Sequence, residues 1–252
     1  MTEQDDTEKR DRVYGISAAL AAFTQRPEAV VRIVHSAEAR PLLGTMLREA
    51  ARRRIAYRET GDEELGRIAG AAHHEGVCVL MRRREPPSLE ILIRRTEPTG
   101  LLLVLDRVSN PHNIGAVLRT AAFFGARGML IGDPTRQLLT GASVRVAEGG
   151  AEHVPVVHLP TLEGALGQFR KSGITVIGAD GQAKTPLTEL KIPARCAVVL
   201  GNEGQGLSPT VRKLCDMGVS IKGSGAIESL NISVAAGIVT ASYAAQHVVR
   251  ND

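Results

Sequence analysis

Continuous apolar runs alternate with helical segments through the second half of the chain, and this alternation is the feature that most restricts its fold. The runs Leu101–Leu105 and Ala197–Leu200 contain no polar residue, which is typical of strands buried on both faces of a parallel sheet. Helix-like segments separate these strands, as parallel pairing requires. The sequence therefore predicts an α/β fold with helices on both sides of a parallel sheet.

Three polar, glycine-rich segments each follow a predicted strand and precede a predicted helix. They are residues 106–115, 201–206 and 222–231. The carboxyl ends of parallel strands meet at one edge of a sheet, and ligands bind outside that edge. We therefore expect the three loops to form one site.

The first half of the chain is predicted to be a separate and smaller α/β unit. Its short strands and helices alternate from Val13 to Met81, and Pro86-Pro87 then interrupts regular structure. The predicted organisation is a disordered tail, a small domain, a linker and a larger domain, at residues 1–11, 12–84, 85–97 and 98–252.

Several function classes are disfavoured by composition. The apolar runs of this 252-residue chain are too short to cross a bilayer, so no membrane partner is expected. The segment Met1–Lys9 is polar and lacks the apolar core of a signal peptide, which favours the cytoplasm. Cys78, Cys196 and Cys215 are widely spaced, so we predict reduced, mostly buried thiols and no metal site.

The chain is moderately basic, with a formal net charge of +4 and arginines in clusters such as Arg52–Arg54 and Arg82–Arg84. Arginine forks suit phosphate groups, but such a cluster can also be a solvated helix face. The chain has three Tyr, four Phe and no Trp, which disfavours a base-stacking platform. RNA binding would therefore depend on shape and phosphates.

The first loop places Asn113 near a helix start and Arg119 further along the same helix. A cation near a helix N-terminus is unfavourable for the helix dipole, so we interpret Arg119 as functional. His112 has the side chain of a general base, but it also fits an ordinary turn, which is the interpretation we prefer.

The other two loops favour a ligand without phosphates. Residues 201–206 contain three glycines and no cation, and they match neither a P-loop nor the GxGxxG fingerprint. Their backbone groups suit a nucleoside-like ligand such as S-adenosylmethionine. Ser229 and Asn231 flank Leu230 at a helix start, where either side chain could be a cap or could contribute to the site.

Together these segments resemble the motifs of the SpoU/TrmH group of SPOUT methyltransferases, which methylate ribose 2′-hydroxyls of RNA. The first half of the chain is similar to the L30e-like RNA-binding domain that many members carry. The second-half motifs are Asn113-Ile-Gly115 with Arg119-Thr-Ala-Ala-Phe-Phe-Gly125, Leu200-Gly-Asn-Glu-Gly-Gln-Gly206, and Ser229-Leu-Asn-Ile-Ser-Val-Ala235.

The resemblance implies a C-terminal parallel-sheet α/β-knot domain (the SPOUT trefoil knot), a rare exception to unknotted topology. It also implies a homodimer formed through that domain and S-adenosylmethionine as cofactor. The implied catalytic residues are Arg119, Asn113, Glu203, Ser229 and Asn231. The implied cofactor-binding residues are Leu200, Gly201, Asn202, Gly206, Ile221 and Leu230.

Three alternatives to a ribosomal RNA methyltransferase stay open at this stage. Ribosomal RNA is preferred over tRNA because the first domain resembles a ribosomal-protein fold, which is an analogy. A non-catalytic RNA-binding or ribosome-assembly protein could carry the same fold. A dinucleotide-dependent oxidoreductase lacks its glycine fingerprint here.

Overall fold

The structure is a computed structural model that describes residues 10–134 and 139–247. The chain divides into two compact units. The first comprises Met1–Glu85 and Leu139–Glu152, and the second comprises Pro86–Leu138 and His153–Asp252.

The first unit contains a four-stranded sheet in the order β1-β4-β2-β3. Strand β4 is antiparallel to both of its neighbours, and β2 is parallel to β3. The elements are β1 (Arg10–Tyr14), α1 (Ile16–Gln25), β2 (Val30–His35), α2 (Gly44–Arg52), β3 (Ala56–Glu59), α3 (Asp62–Ala69) and β4 (Val77–Arg82).

Strand β4 is buried on both faces, because helices cover both sides of the sheet in this unit. Val77, Val79 and Met81 face a core formed with α1 and α2, whereas Cys78 and Leu80 face a smaller core against α3. The side-chain period of two residues in a strand produces this division. The predicted small α/β architecture is confirmed.

The predicted tail is shorter than expected at its C-terminal end. Arg10 and Asp11 already belong to β1 and pair with Arg82 and Met81 of β4. The rest of the predicted tail, residues 1–9, lies outside the described residues. Residues 10–12 are all charged, so the sequence shows no apolar alternation there. The strand forms because its backbone pairs with β4.

A segment of the second half belongs to the first unit. Leu139–Glu152 contains α6 (Gly141–Val146), which Thr140 caps by accepting a hydrogen bond from the Ser143 N–H. A Cβ at Gly141 would lie 2.4 Å from the Tyr14 ring, so this helix start approaches β1 closely. The short helix α7 (Gly150–His153) follows α6.

The second unit contains a six-stranded, all-parallel sheet in the order β10-β8-β9-β5-β6-β7. This confirms the predicted fold class. The elements are α4 (Leu89–Arg95), β5 (Gly100–Asp106), α5 (Pro111–Phe123), β6 (Gly128–Gly132), β7 (Val156–Leu159), α8 (Glu163–Lys171), β8 (Thr175–Ala179), β9 (Arg195–Gly201), α9 (Pro209–Leu214), β10 (Met217–Val219) and α10 (Ile232–His247).

Helices cover both faces of this sheet. Leu102 and Val104 of β5 pack in one core with Leu166 and Phe169 of α8. On the other face, α5 and α10 pack against each other and against the central strands. All seven residues of β5 are buried, as its unbroken apolar run predicts.

The predicted linker contains a packed helix. Helix α4 begins after Ser88, whose Oγ accepts a hydrogen bond from the Ile91 N–H at 3.3 Å. Leu92 is fully buried and joins the core of the second unit. The proline pair precedes the cap, where prolines do not oppose a helix, so only the first part of residues 85–97 is extended.

No helix within residues 10–134 and 139–247 is both long and apolar enough to span a membrane.

Candidate functional site

The first two loops leave the sheet side by side. Asp106 at the end of β5 is in register with Gly201 at the end of β9. Helix α5 begins earlier than predicted, because Asn110 caps it by accepting a hydrogen bond from the His112 N–H at 2.9 Å. Asn113 therefore lies in the first turn of α5 and not in the loop.

The second loop folds back on itself as a tight turn. The Gly206 N–H donates to the Asn202 carbonyl at 2.8 Å, and the Gly204 N–H donates to Asn202 Oδ1 at 3.0 Å. A Cβ at Gly201 would lie 2.2 Å from the carbonyl carbon of Gly206. Only glycine permits this approach.

Glu203, at the centre of this turn, joins the second loop to the start of α5 and to the start of α10. Its Oε1 accepts hydrogen bonds from Asn113 Nδ2 at 3.0 Å and from Asn231 Nδ2 at 2.7 Å. It also accepts one from the Ile232 N–H at 3.3 Å, at the start of α10. A carboxylate is favoured at a helix N-terminus, so this position suits Glu203 electrostatically.

Asn231 has both roles that the sequence left open. Its Oδ1 caps α10 by accepting a hydrogen bond from the Ser233 N–H at 2.9 Å, and its Nδ2 donates to Glu203 and, at 3.3 Å, to Asn113 Oδ1. A helix cap and a contact between loops thus coincide in one side chain.

The structure places the remaining predicted residues as follows. Arg119 is exposed on α5, six residues beyond Asn113 and therefore about 9 Å further along the helix axis. Ser229 is exposed beside Leu230, whose exposed fraction is 47%. Leu200 is buried in β9, and Ile221 is half-buried after β10.

The third loop also contains Lys222, whose Nζ donates to the Ala183 carbonyl at 3.3 Å.

Sequence reasoning missed two residues at the end of β5. Asp106 is buried, and its Oδ2 accepts a hydrogen bond from the Ser208 N–H at 2.6 Å. The Arg107 guanidinium donates to Gln205 Oε1 at 2.8 Å and to the Gly206 carbonyl at 3.2 Å. An aspartate directly after a buried strand was the available signal for this pair.

The arginine triplet of the first unit has partners inside that unit. Arg84 donates to Glu152 Oε2 at 2.7 Å, Arg83 lies 3.6 Å from Asp11, and Arg82 donates to the carbonyl of Glu28. All three residues are exposed, so these contacts leave the predicted phosphate-binding role of the cluster as a prediction.

The three cysteines are free; Cys78 and Cys196 are buried and Cys215 is half-buried, which confirms the prediction of mostly buried thiols. Burial raises the pKa of Cys78 and of Cys196 to about 12, and chiefly burial raises that of Cys215 to about 11. All three therefore remain protonated at neutral pH and contribute no nucleophile.

Two family models match the chain. The model of the SpoU rRNA methylase family matches residues 100–241. A second model, for RNA 2′-O ribose methyltransferase substrate binding, matches residues 12–87. The chain belongs to the SpoU rRNA methylase family. It is an RNA 2′-O-methyltransferase that uses S-adenosylmethionine.

Individual relatives agree with this family assignment. The chain is 32% identical over 242 residues to the 23S rRNA (guanosine-2′-O-)-methyltransferase RlmB of Neisseria meningitidis, covering 95% of this chain and 97% of that protein. It is 37% identical over 232 residues to the uncharacterized tRNA/rRNA methyltransferase YfiF of Escherichia coli O157:H7, covering 92% of this chain and 67% of that protein.

A solved structure shows the same fold. The SpoU methyltransferase AviRb of Streptomyces viridochromogenes, in complex with AdoMet, superimposes with a TM-score of 0.79 at 22% identity. The alignment covers 98% of this chain and 94% of that chain. The second unit of this SpoU-family chain thus has the SPOUT α/β-knot fold, and family membership removes the oxidoreductase alternative.

The second loop suits the cofactor of the family. S-adenosylmethionine carries no phosphate, and residues 201–206 contain no cation. The near-contact of Gly201 with Gly206 brings backbone donors and acceptors close together without a side chain between them. A neutral adenosyl group can bind to such groups by hydrogen bonds and apolar contact.

Proposed function

We propose that this enzyme methylates a ribose 2′-hydroxyl of ribosomal RNA in the cytoplasm. Support comes from the relatives named RlmB, which match this chain almost end to end, together with the substrate-binding model over the first unit. The observation that carries the site is the cluster of Asn113, Glu203 and Asn231, which holds the second loop against the starts of α5 and α10.

The proposed roles divide between the loops. Backbone and side-chain groups of the second and third loops hold the adenosyl group, and the first loop with α5 receives the RNA. S-adenosylmethionine supplies an electrophilic methyl group on its sulfonium. The proposed cofactor-binding residues are Leu200, Gly201, Asn202, Gly206, Ile221 and Leu230.

Arg119 is proposed to bind the phosphate next to the reacting ribose. A guanidinium is effectively always protonated, so Arg119 acts as a cation that can stabilise the negative charge developing on the 2′-oxygen in the transition state and does not act as a base. Asn113, Glu203, Ser229 and Asn231 are proposed to organise the pocket in which oxygen, methyl carbon and sulfur align. Alignment of this kind supplies a large part of the rate in bimolecular transfers.

The enzyme is also proposed to be a homodimer formed through the second unit. Val234 and Ile238 lie one turn apart on α10, with exposed fractions of 49% and 36%, and Phe123 at the end of α5 is 82% exposed. Helices α5 and α10 are packed neighbours. A small residue such as Ala235 on α10 allows another helix to approach closely.

The substrate proposal is tested by mapping 2′-O-methyl groups in total RNA from cells with and without the protein. A ribosomal RNA position that loses its methyl group, and regains it when purified enzyme and S-adenosylmethionine are added, supports it. Loss at a tRNA position instead would establish the tRNA alternative, since the name of the YfiF relative gives tRNA beside rRNA.

A further inference from the structure

Arg107 adopts a backbone conformation that is unusual for its residue type. Its φ is 58°, in the left-handed region where a Cβ crowds the following carbonyl and glycine is favoured. The residue follows β5 directly, and its N–H donates to the Gly132 carbonyl of β6 at 2.8 Å. A strained arginine at this position suggests that its side chain has a function.

The side chain of Arg107 contacts the second loop at its turn. One terminal nitrogen donates to Gln205 Oε1 at 2.8 Å, and the other donates to the Gly206 carbonyl at 3.2 Å. The planar guanidinium fork can hold two acceptors in fixed positions, which a lysine ammonium cannot do as rigidly.

Two further contacts fix the same loop to the end of β5. Asn202 Nδ2 donates to the Arg107 carbonyl at 3.2 Å, and buried Asp106 accepts a hydrogen bond from the Ser208 N–H at 2.6 Å. The start, the turn and the end of the loop are therefore all held by two adjacent residues, which we call the β5 clamp (Asp106 and Arg107).

The β5 clamp contains a buried hydrogen-bond donor that has no acceptor among the described residues. Arg107 Nε is buried, and no acceptor within residues 10–134 and 139–247 forms a hydrogen bond with it. Asp106 Oδ1 lies 3.6 Å away, close enough for attraction between charges but too far for a hydrogen bond. An unpaired buried donor and a positive φ both oppose stability, so stability alone does not explain the arginine.

We propose that Arg107 is a positioning residue for S-adenosylmethionine, which keeps the turn 201–206 in the conformation that binds the adenosyl group. This inference rests on the proposed assignment of that turn to the cofactor. Arg107 acts through Gln205 and Gly206. Because Arg107 directly follows β5 and lies at the start of the first loop, it also couples the cofactor turn to the segment proposed to receive RNA.

The test compares Arg107→Gly with Arg54→Gly. Arg54 has the same φ of 58° but lies in the first unit, so both variants relieve the same backbone strain. We expect the unfolding temperature to stay level or rise in both. By isothermal titration, the dissociation constant for S-adenosylmethionine should rise at least tenfold in Arg107→Gly and by less than twofold in Arg54→Gly.

Kinetics and a double-mutant cycle extend the test. The KM for S-adenosylmethionine should rise at least tenfold in Arg107→Gly, with kcat at saturating cofactor reduced less than threefold. The effects of Arg107→Lys and Gln205→Ala on cofactor affinity should be non-additive, since each removes part of one contact. Additive effects, or cofactor affinity of Arg107→Gly within twofold of the wild type, would overturn the proposal.

The variant Gly201→Ala distinguishes an incorrect role for Arg107 from an incorrect assignment of the turn 201–206 to the cofactor. Its Cβ would collide with the Gly206 carbonyl and distort the turn directly, while Arg107 itself stays unchanged in sequence. If folded Gly201→Ala binds S-adenosylmethionine normally, the turn is not the cofactor site. If Gly201→Ala loses binding while Arg107→Gly keeps it, the turn is the cofactor site and only the role of Arg107 is wrong.

Discussion

At the residue scale, the carboxylate of Glu203 joins the second loop to the starts of α5 and α10, and its two asparagine partners differ in their other contacts. Asn231 both caps α10 and donates to Glu203, whereas Asn113 donates to Glu203 from the first turn of α5. Arg119 stands further along α5 and is exposed. Binding and chemistry should therefore respond separately to substitutions on these residues.

Arg119→Ala should abolish methyl transfer while leaving cofactor affinity nearly intact, because Arg119 comes from the first motif and the proposed cofactor pocket from the other two. Loss of one charge that stabilises a transition state costs about 10²- to 10³-fold in rate. Single-turnover methylation and titration calorimetry measure the two quantities. An equal loss of cofactor affinity would place Arg119 on the cofactor side of the site.

Asn231→Asp should weaken cofactor binding at least tenfold although it keeps the helix cap. Aspartate caps as well as asparagine does, but it places a second carboxylate where Nδ2 now donates to Glu203 at 2.7 Å. Asn231→Ser is the matched variant, since it also caps but introduces no charge, and its effect should be smaller. Equal effects of the two substitutions would show that repulsion between carboxylates plays no part.

At the element scale, two segments pack differently from what the sequence predicts. Helix α4 lies within the predicted linker, yet its Leu92 is fully buried in the second unit. The segment Leu139–Glu152 lies within the predicted larger domain, yet it packs with the first unit. Removing residues 1–97 would therefore take a core residue from the second unit and leave this segment without its partners.

Leu92→Ala should lower the free energy of unfolding of the second unit by about 3 kcal/mol, because a buried leucine leaves a cavity when truncated. Ile91→Ala is the matched control on the same helix, since Ile91 is 40% exposed, and should cost less than about 1 kcal/mol. Urea unfolding followed by circular dichroism gives both values. Equal small effects of the two substitutions would show that Leu92 contributes no core packing and that residues 85–97 act as a linker.

Glu152→Gln should destabilise the first unit in a pH-dependent way. Burial raises the pKa of Glu152, but the hydrogen bonds and charges of Arg26 and Arg84 together lower it by more. The pKa of Glu152 therefore lies below its ordinary value. The stabilisation by the carboxylate is therefore present above the unfolded-state pKa of about 4.3 and is lost as pH falls through the folded-state pKa.

The measurement for Glu152 is the difference in unfolding free energy between wild type and Glu152→Gln. We expect about 3 kcal/mol at pH 7, as for a broken buried ion pair, and a decreasing difference below about pH 5. Glu49→Gln, at a partly exposed position where the carboxylate pairs with Arg52 and Arg53 of the same helical segment, should show a smaller effect at pH 7. A pH-independent difference would mean that packing and not charge holds Glu152.

At the scale of the whole molecule, the exposed apolar side chains of α5 and α10 are the proposed homodimer contact, and Val234→Glu with Ile238→Glu should yield a monomer. Buried carboxylates without partners oppose association. Leu42→Glu, at a 64% exposed position of the first unit, is the control. Light scattering after gel filtration measures the mass, and a wild-type monomer would refute the dimer.

The sequence by itself determined the parallel α/β class, the two halves and the three loops at one sheet edge, because strand and helix periodicity and glycine placement are local properties. It also singled out Asn113, Glu203 and Asn231 as candidate site residues, and the structure brings these three side chains together. Only the tertiary structure decided the strand order, the packing of Leu139–Glu152 on the first unit and the contacts of the β5 clamp. These depend on pairs such as Arg26 with Glu152 that lie 126 residues apart, and no local pattern encodes which distant charge a buried side chain will meet.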